Sequence, residues 1–305
     1  MLISTADALT QLAPLLKRGK LVLVAGSGIS IPPPSNLPSW DDLLKGFIEF
    51  CQKEVAPVLP AGDDFIDVLL DAEKERSRNP IRVASVLKRK VLDKELTKKY
   101  RLNNSFLRWM TRVFAPARPN ANHLAIVRTN YPFILTSNYD DLFSQAATEA
   151  GFPRLGGRAL SYQESDQIAA AVYEEEPCII HLHGRYEDAS LDQIVFTAED
   201  YLRIKHDHKA FAVVVQSLLL RFSTLFVGYG ASDPHLEDLL EELIHLFRGG
   251  EPSSHPQTFL LLHRDKATKV FVKYKHSFRT DIIAVDDYAE TPIFLEQLSK
   301  EGLRT

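Results

Sequence analysis

The chain has 305 residues, 45% hydrophobic and 25% charged, with a formal net charge of -4. That is enough for one large α/β domain with an insertion, or for two small domains, and the balance is that of a soluble globular protein. The charge excludes a general electrostatic footprint for nucleic acid, so no direct nucleic-acid binding is expected.

The opening segment MLISTADALTQLAPLLKRGK places its basic residues after the apolar stretch, opposite to a signal peptide. No run approaches the ~18 apolar residues of a membrane span. A cytoplasmic protein without a membrane partner is therefore expected. The next run, Leu21 to Ala25, is continuously apolar and reads as a buried strand. It opens into Gly26-Ser27-Gly28-Ile29-Ser30. Glycines there could bring backbone N–H groups close to a phosphate. The third glycine of a dinucleotide fingerprint is absent, and a tight turn without ligand fits the same residues.

From about Trp40 to Asn130 the apolar spacing is helical: Phe65, Val68 and Leu69, then Val83, Val86 and Leu87, then Phe106, Trp109, Met110 and Val113. This reads as a helical insertion between the first two strands, within a single domain over 1–305. Its basic cluster, Lys88, Arg89, Lys90, Lys94, Lys98, Lys99 and Arg101, reads as a solvated helix face because acidic residues interleave. Cys51 and Cys178 cannot supply a four-cysteine zinc site, and Cys178 lies in an apolar run suited to a core.

Phe133 to Thr136 reads as a second buried strand, followed by Ser137, Asn138, Tyr139 and Asp140. Polar residues at the carboxyl end of such a strand lie where ligands bind in open α/β sheets. Asn138 offers both donor and acceptor to a ribose hydroxyl or a water. Asp140 suits either that site or the cap of the following helix. Cys178 to Leu182 is a third strand, ending in His183-Gly184. A histidine there can act as a general base near neutral pH. His181 shares its strand face but precedes the turn, so a smaller role is expected of it. No third ligand accompanies the two histidines, so no metal is expected. His123 reads as an ordinary core or surface histidine.

A fourth strand, Thr224 to Val227, runs into Gly228-Tyr229-Gly230-Ala231-Ser232-Asp233. Ser232 and Asp233 suit ribose hydroxyls or a helix cap. A helix with the stripe Leu236, Leu239, Leu240, Leu243, Ile244 and Phe247 follows, then strands at Thr258 to Leu262 and Ile282 to Val285. Strand–helix alternation predicts a Rossmann-like, doubly wound parallel sheet with a helical insertion.

The order of these clusters resembles the sirtuin superfamily. Gly-Ser-Gly-Ile-Ser is similar to its cofactor loop, Thr-Ser-Asn-Tyr-Asp to its Thr-Gln-Asn-Ile-Asp motif, and His183-Gly184 to its catalytic pair. Gly228-Tyr229-Gly230 stands where that family turns toward the cofactor. Leu37-Pro38-Ser39-Trp40, Thr-Ala-Glu-Asp-Tyr at 197–201 and Gly-Tyr-Gly-Ala-Ser-Asp-Pro-His-Leu at 228–236 resemble the bacterial antiphage-defence branch. The zinc cysteines of deacylating members are missing, and Leu-Pro-Ser-Trp-Asp replaces their Pro-Asp-Phe-Arg.

The resemblance implies an NAD+ hydrolase yielding ADP-ribose and nicotinamide, with NAD as substrate and no zinc. It implies Asn138 and His183 as catalytic residues, and Gly26, Ser27, Gly28, Ser30, Asp140, Gly228, Ser232 and Asp233 as contacts to the dinucleotide. It further implies a homo-oligomer, with a separate HerA-like ATPase or Argonaute as partner. Protein deacylation, ADP-ribosyl transfer, and a non-catalytic dinucleotide sensor or scaffold remain alternatives at this point.

Overall fold

The computed structural model describes residues 1–60, 63–92, 105–187, 193–229, 256–268 and 280–303. Among these, the strands are β1 (Leu2–Ile3), β2 (Leu21–Ala25), β3 (Phe133–Thr136), β4 (Ala159–Ser161), β5 (Cys178–His181), β6 (Ser223–Val227), β7 (Thr258–His263) and β8 (Thr280–Val285). They form one sheet in the order β1-β8-β7-β6-β2-β3-β5-β4. Every neighbouring pair is parallel.

The apolar runs become strands because both faces of the sheet are covered. Val22, Val24, Leu135, Ile180 and Phe226 pack on one side, against the helices Ser165–Tyr173, Ala198–Asp207 and Lys209–Arg221. Leu21, Leu23, Ile134, Ile179 and Leu225 pack on the other, against the helices Thr5–Lys17, Ala121–Arg128, Leu142–Glu149 and Glu290–Leu303. With both faces buried, alternation of polar and apolar residues has no place, which is why the runs are continuous. This is the doubly wound, Rossmann-like fold.

Chain order reverses around β2. The strands β3, β5 and β4 lie on one side of it, and β6, β7 and β8 on the other. Ligands in open parallel sheets bind beyond the carboxyl ends at such a switch point.

Between β2 and β3 the described chain is mainly helical: Trp40–Phe50, Phe65–Glu75, Pro80–Leu92, Ser105–Phe114 and Ala121–Arg128. The last of these packs on the sheet. The others share a separate apolar cluster running from Leu37 to Ala117, joined by Tyr139, Leu142, Ile194 and Phe196 from the sheet body. Aromatic rings seal that join. Phe196 lies edge-on to Phe47 at 5.6 Å and to Phe106 at 5.5 Å between centroids.

One basic residue of the cluster departs from the solvated-face expectation. Lys88 is buried, donating to Asp200 Oδ2 at 2.8 Å and to the Ile194 carbonyl at 3.0 Å. Asp200 also accepts from the main-chain N–H groups of Phe196 and Thr197. A buried charge so paired ties the helix Pro80–Leu92 to the segment following β5, since separating the pair would strand a charge away from water. Arg89 pairs with the exposed Glu199, and Lys90 with the mostly covered Asp63 and the exposed Asp64. Lys94, Lys98, Lys99 and Arg101 lie outside the described residues. Cys51 and Cys178 are both buried, and burial pushes the Cys178 thiol up to about 12.

Candidate functional site

The chain leaves β2, β3, β5 and β6 at one edge of the sheet, and the residues there line a common cleft. Gly26, Ser27 and Ser30 come from the first loop, and Ser137, Asn138, Tyr139 and Asp140 from the second. His183 follows β5 and Tyr229 follows β6. Leu37, Trp40, Ile81 and Phe114 form the opposite wall, so the helices between β2 and β3 cover the sheet edge. The cleft opens to solvent, with about 880 Å³ of empty space when that open part is counted.

The glycines of the first and fourth loops serve each other. The Gly28 N–H donates to the Gly228 carbonyl at 3.0 Å, and the Gly26 N–H to the Val227 carbonyl at 3.0 Å. A Cβ on Gly26 would stand 2.5 Å from the Gly228 oxygen, and one on Gly228 2.5 Å from the Ile29 nitrogen. Gly228 also has φ +64°, a left-handed conformation that favours glycine. Gly28 and Gly228 thus set the contact between two turns, while Gly26 and Ser27 face the cleft.

In the cleft wall, Ser30 is a buried hub. Its hydroxyl donates to Asp140 Oδ2 at 3.0 Å and accepts from Asn138 Nδ2 at 3.2 Å. His123 Nε2 lies 3.1 Å from the same oxygen. His123 Nδ1 lies 3.2 Å from the Asn120 main-chain nitrogen and 2.9 Å from the Asn120 Oδ1, so the ring bridges Asn120 and Ser30. Asn120 caps the helix Ala121–Arg128 and its side chain donates to the Ile29 carbonyl at 2.8 Å. The helix start therefore anchors the Ser27–Ser30 turn. Asp140 also accepts from the Leu142 N–H at 3.1 Å. Asp140 thus ties Ser30 to the start of the next helix, whose N-cap position is Asp141.

Asn138 is 4% exposed, and its Oδ1 is buried with no hydrogen-bond partner among the described residues. A buried acceptor left empty costs free energy, so such an atom asks for an explanation. His183 lines the same cleft, its ring edge-on to Tyr201 at 5.3 Å. Gly184 beyond it has φ +76°, which turns the chain sharply after the histidine. Of the expected contacts, Ser232 and Asp233 lie outside the described residues. Tyr201 of the site closes the Thr-Ala-Glu-Asp-Tyr segment, whereas His123 and Asn120 belong to it without a clear signal in the sequence. The only hint is Asn120 standing three residues before His123, the spacing of a capping box.

Burial shapes the charges. It raises the Asp140 carboxyl to about 6, against opposing hydrogen bonds from Leu142, Ser30 and Asn138. It lowers His123 to about 3 and His181 to about 3. Between pH 7 and pH 5 the unfolded chain protonates both histidines while the folded chain does not, so folding loses stability as pH falls. Asp140, protonated more readily when folded, works in the opposite sense. By linkage the three sum to a net loss of about 2 kcal/mol at pH 5 relative to pH 7. Denaturant unfolding at the two pH values should show this drop; equal or greater stability at pH 5 would contradict it.

Among the described residues no three His, Cys, Asp or Glu side chains are grouped to hold an ion, and no described helix is long and apolar enough to cross a membrane.

Residues 132–283 match the model of the SIR2-like domain. That span contains the loops after β3, β5 and β6, hence Asn138, His183 and Gly228, and excludes the Gly26–Ser30 loop. Three bacterial relatives are each named NAD(+) hydrolase ThsA. The protein from Cytobacillus dafuensis is 25% identical over 152 residues, covering 50% of this chain and 29% of the relative. That from Enterococcus faecium is 23% identical over 204 residues, 60% of this chain and 41% of the relative. That from Acinetobacter baumannii is 21% identical over 301 residues, 93% of this chain and 54% of the relative. The chain thus spans from under a third to just over half the length of these relatives.

Proposed function

We propose, from the match of residues 132–283 to the SIR2-like domain, that the cleft hydrolyses NAD to ADP-ribose and nicotinamide. The observation that carries the proposal is the empty, buried Oδ1 of Asn138 in a cleft shared with His183. The names of the three relatives support the same chemistry.

Cleavage of the nicotinamide–ribose bond passes through an oxocarbenium-like state. The bonding pair leaves with nicotinamide and neutralises its ring nitrogen, so no general acid is needed. Water then bonds to the anomeric carbon and must lose a proton. In this reading Asn138 Oδ1 accepts a hydrogen bond from that water or from the ribose hydroxyls, and His183 takes the proton. Ser30, held by Asp140 and His123, fixes the Asn138 amide. Gly26 and Ser27 lie where the pyrophosphate would pass, and the wall from Leu37 to Phe114 keeps bulk water out. Gly28 and Gly228 shape the loop from behind. Ser232 and Asp233 remain assigned to the adenosine ribose.

We extend the proposal to biology: an effector of bacterial antiphage defence, assembled as a homo-oligomer and working with a separate ATPase or Argonaute. Occupancy of the cleft is tested by thermal unfolding of the His183→Ala variant, in which NAD persists. Ligand at 100 times its Kd stabilises the folded state by about 2.7 kcal/mol, a rise of several degrees for a chain of this size. An unchanged melting temperature at millimolar NAD would count against the proposal.

A further inference from the structure

His181 is the last residue of β5, in register with Thr136 of β3 and Ser161 of β4. It is completely buried. Its Nδ1 lies 3.2 Å from the main-chain oxygen of Asn138. A carbonyl oxygen only accepts, so Nδ1 carries the proton and donates it. Its Nε2 is buried without a partner among the described residues. Leaving that lone pair unmet costs stability, so an apolar residue of similar size would suit the core better. Among the described residues the ring's hydrogen bond goes to Asn138.

Two other polar atoms of Asn138 are committed too. Its main-chain N–H donates to Thr136 Oγ1 at 3.1 Å, and the Thr136 hydroxyl donates to the Ala25 carbonyl at 3.2 Å. Its Nδ2 donates to Ser30. The Ser137 N–H donates to the Ala25 carbonyl at 3.1 Å. The turn after β3 is thus tied to β2 on one side and to the β5 side on the other, where the Leu182 N–H donates to the Thr136 carbonyl at 2.8 Å, the Tyr186 N–H donates to the Tyr139 carbonyl at 2.9 Å, and His181 holds the Asn138 carbonyl between them. Without His181 that carbonyl loses its donor, and the Asn138 peptide shifts between its two neighbouring anchors, displacing Oδ1 in the cleft.

We propose that His181 is a positioning residue, which clamps the Asn138 peptide so that the free side-chain oxygen faces the reacting ribose. The proposal rests on the reading of the cleft as an NAD hydrolase. It replaces the expectation that His181, lying before the turn, matters little. The imidazole acts as a fixed donor and takes no proton during turnover.

The test compares three variants with the parent. His181→Leu removes the donor and keeps an apolar side chain. His181→Asn keeps an N–H group close to the place of Nδ1. His181→Gln keeps an amide but carries it one bond further out. Misplacing a reacting group by about 1 Å costs about 10²-fold. His181→Leu is therefore expected to lower kcat by about 10²-fold with KM within a few-fold of the parent. His181→Asn should recover most of kcat, and His181→Gln should not. A purely structural role would lower melting temperature without that split or that rescue. A folded His181→Leu variant with parental kcat would overturn the proposal. Should His181→Leu fail to fold, His181→Gln takes its place, and parental kcat in that variant overturns the proposal equally. If the parent itself releases no nicotinamide, the hydrolase reading fails and positioning is read directly by crystallography. A displaced Asn138 carbonyl in His181→Leu, restored in His181→Asn, supports the clamp; an unmoved carbonyl overturns it.

Discussion

Replacing His183 with alanine is expected to cut nicotinamide release by about 10²–10⁴-fold, the usual contribution of a general base. The side chain lines the cleft, with ring contacts to Tyr201 and Tyr139. Asn138→Ala should fall comparably, because it removes both the unpartnered Oδ1 and the amide that meets Ser30. Neither change should greatly weaken NAD binding, since Gly26 and Ser27 are untouched. Kinetics of nicotinamide release, with melting temperatures beside them, separate lost chemistry from lost structure. Near-parental turnover in His183→Ala would sink the mechanism.

The second large effect is expected at Gly228, through packing rather than chemistry. A Cβ there would meet the Ile29 nitrogen at 2.5 Å and the Ile29 Cγ2 at 2.7 Å, and the backbone has φ +64°. Backbone atoms cannot yield as a flexible side chain can, so Gly228→Ala must push the Ile29 turn away from β6. Conformational strain of about 1–3 kcal/mol adds to overpacking of about 1–3 kcal/mol. The displaced turn carries Ser30, so turnover should fall as well. Gly151 is the matched control, with φ +87° and nothing within 4 Å of the place a Cβ would take. Gly151→Ala should show the conformational cost alone. Equal melting temperatures for the two variants would refute the close contact as the cause.

The contrast between these residues shows what can be read from sequence. The central strands are legible because burial on both faces leaves uninterrupted apolar runs, and β2 and β3 begin and end where those runs do. The edge strands are not. β1 has two residues and β4 has three, and each exists through pairing with β8 or β5. Polar residues abruptly following an apolar strand point to Asn138, Asp140 and His183, and all three line the cleft. The hub behind them is hidden. His123 lies 93 positions from Ser30, and no local pattern announces a contact at that separation. The burial of Lys88 escapes a sequence reading for the same reason, because its partner Asp200 lies 112 positions away. The role of His181 is equally obscure, because strand-face arithmetic gives direction but not the neighbour met.

The fate of NAD in the cleft decides between hydrolysis and mere binding. Proton NMR of NAD incubated with the purified chain follows nicotinamide and ADP-ribose in one sample, with His183→Ala run in parallel. Equimolar appearance of both products with the parent, without any acceptor peptide, and their near absence with the variant, is the expected result. Intact NAD in the presence of a parent chain that binds it would contradict the hydrolase assignment.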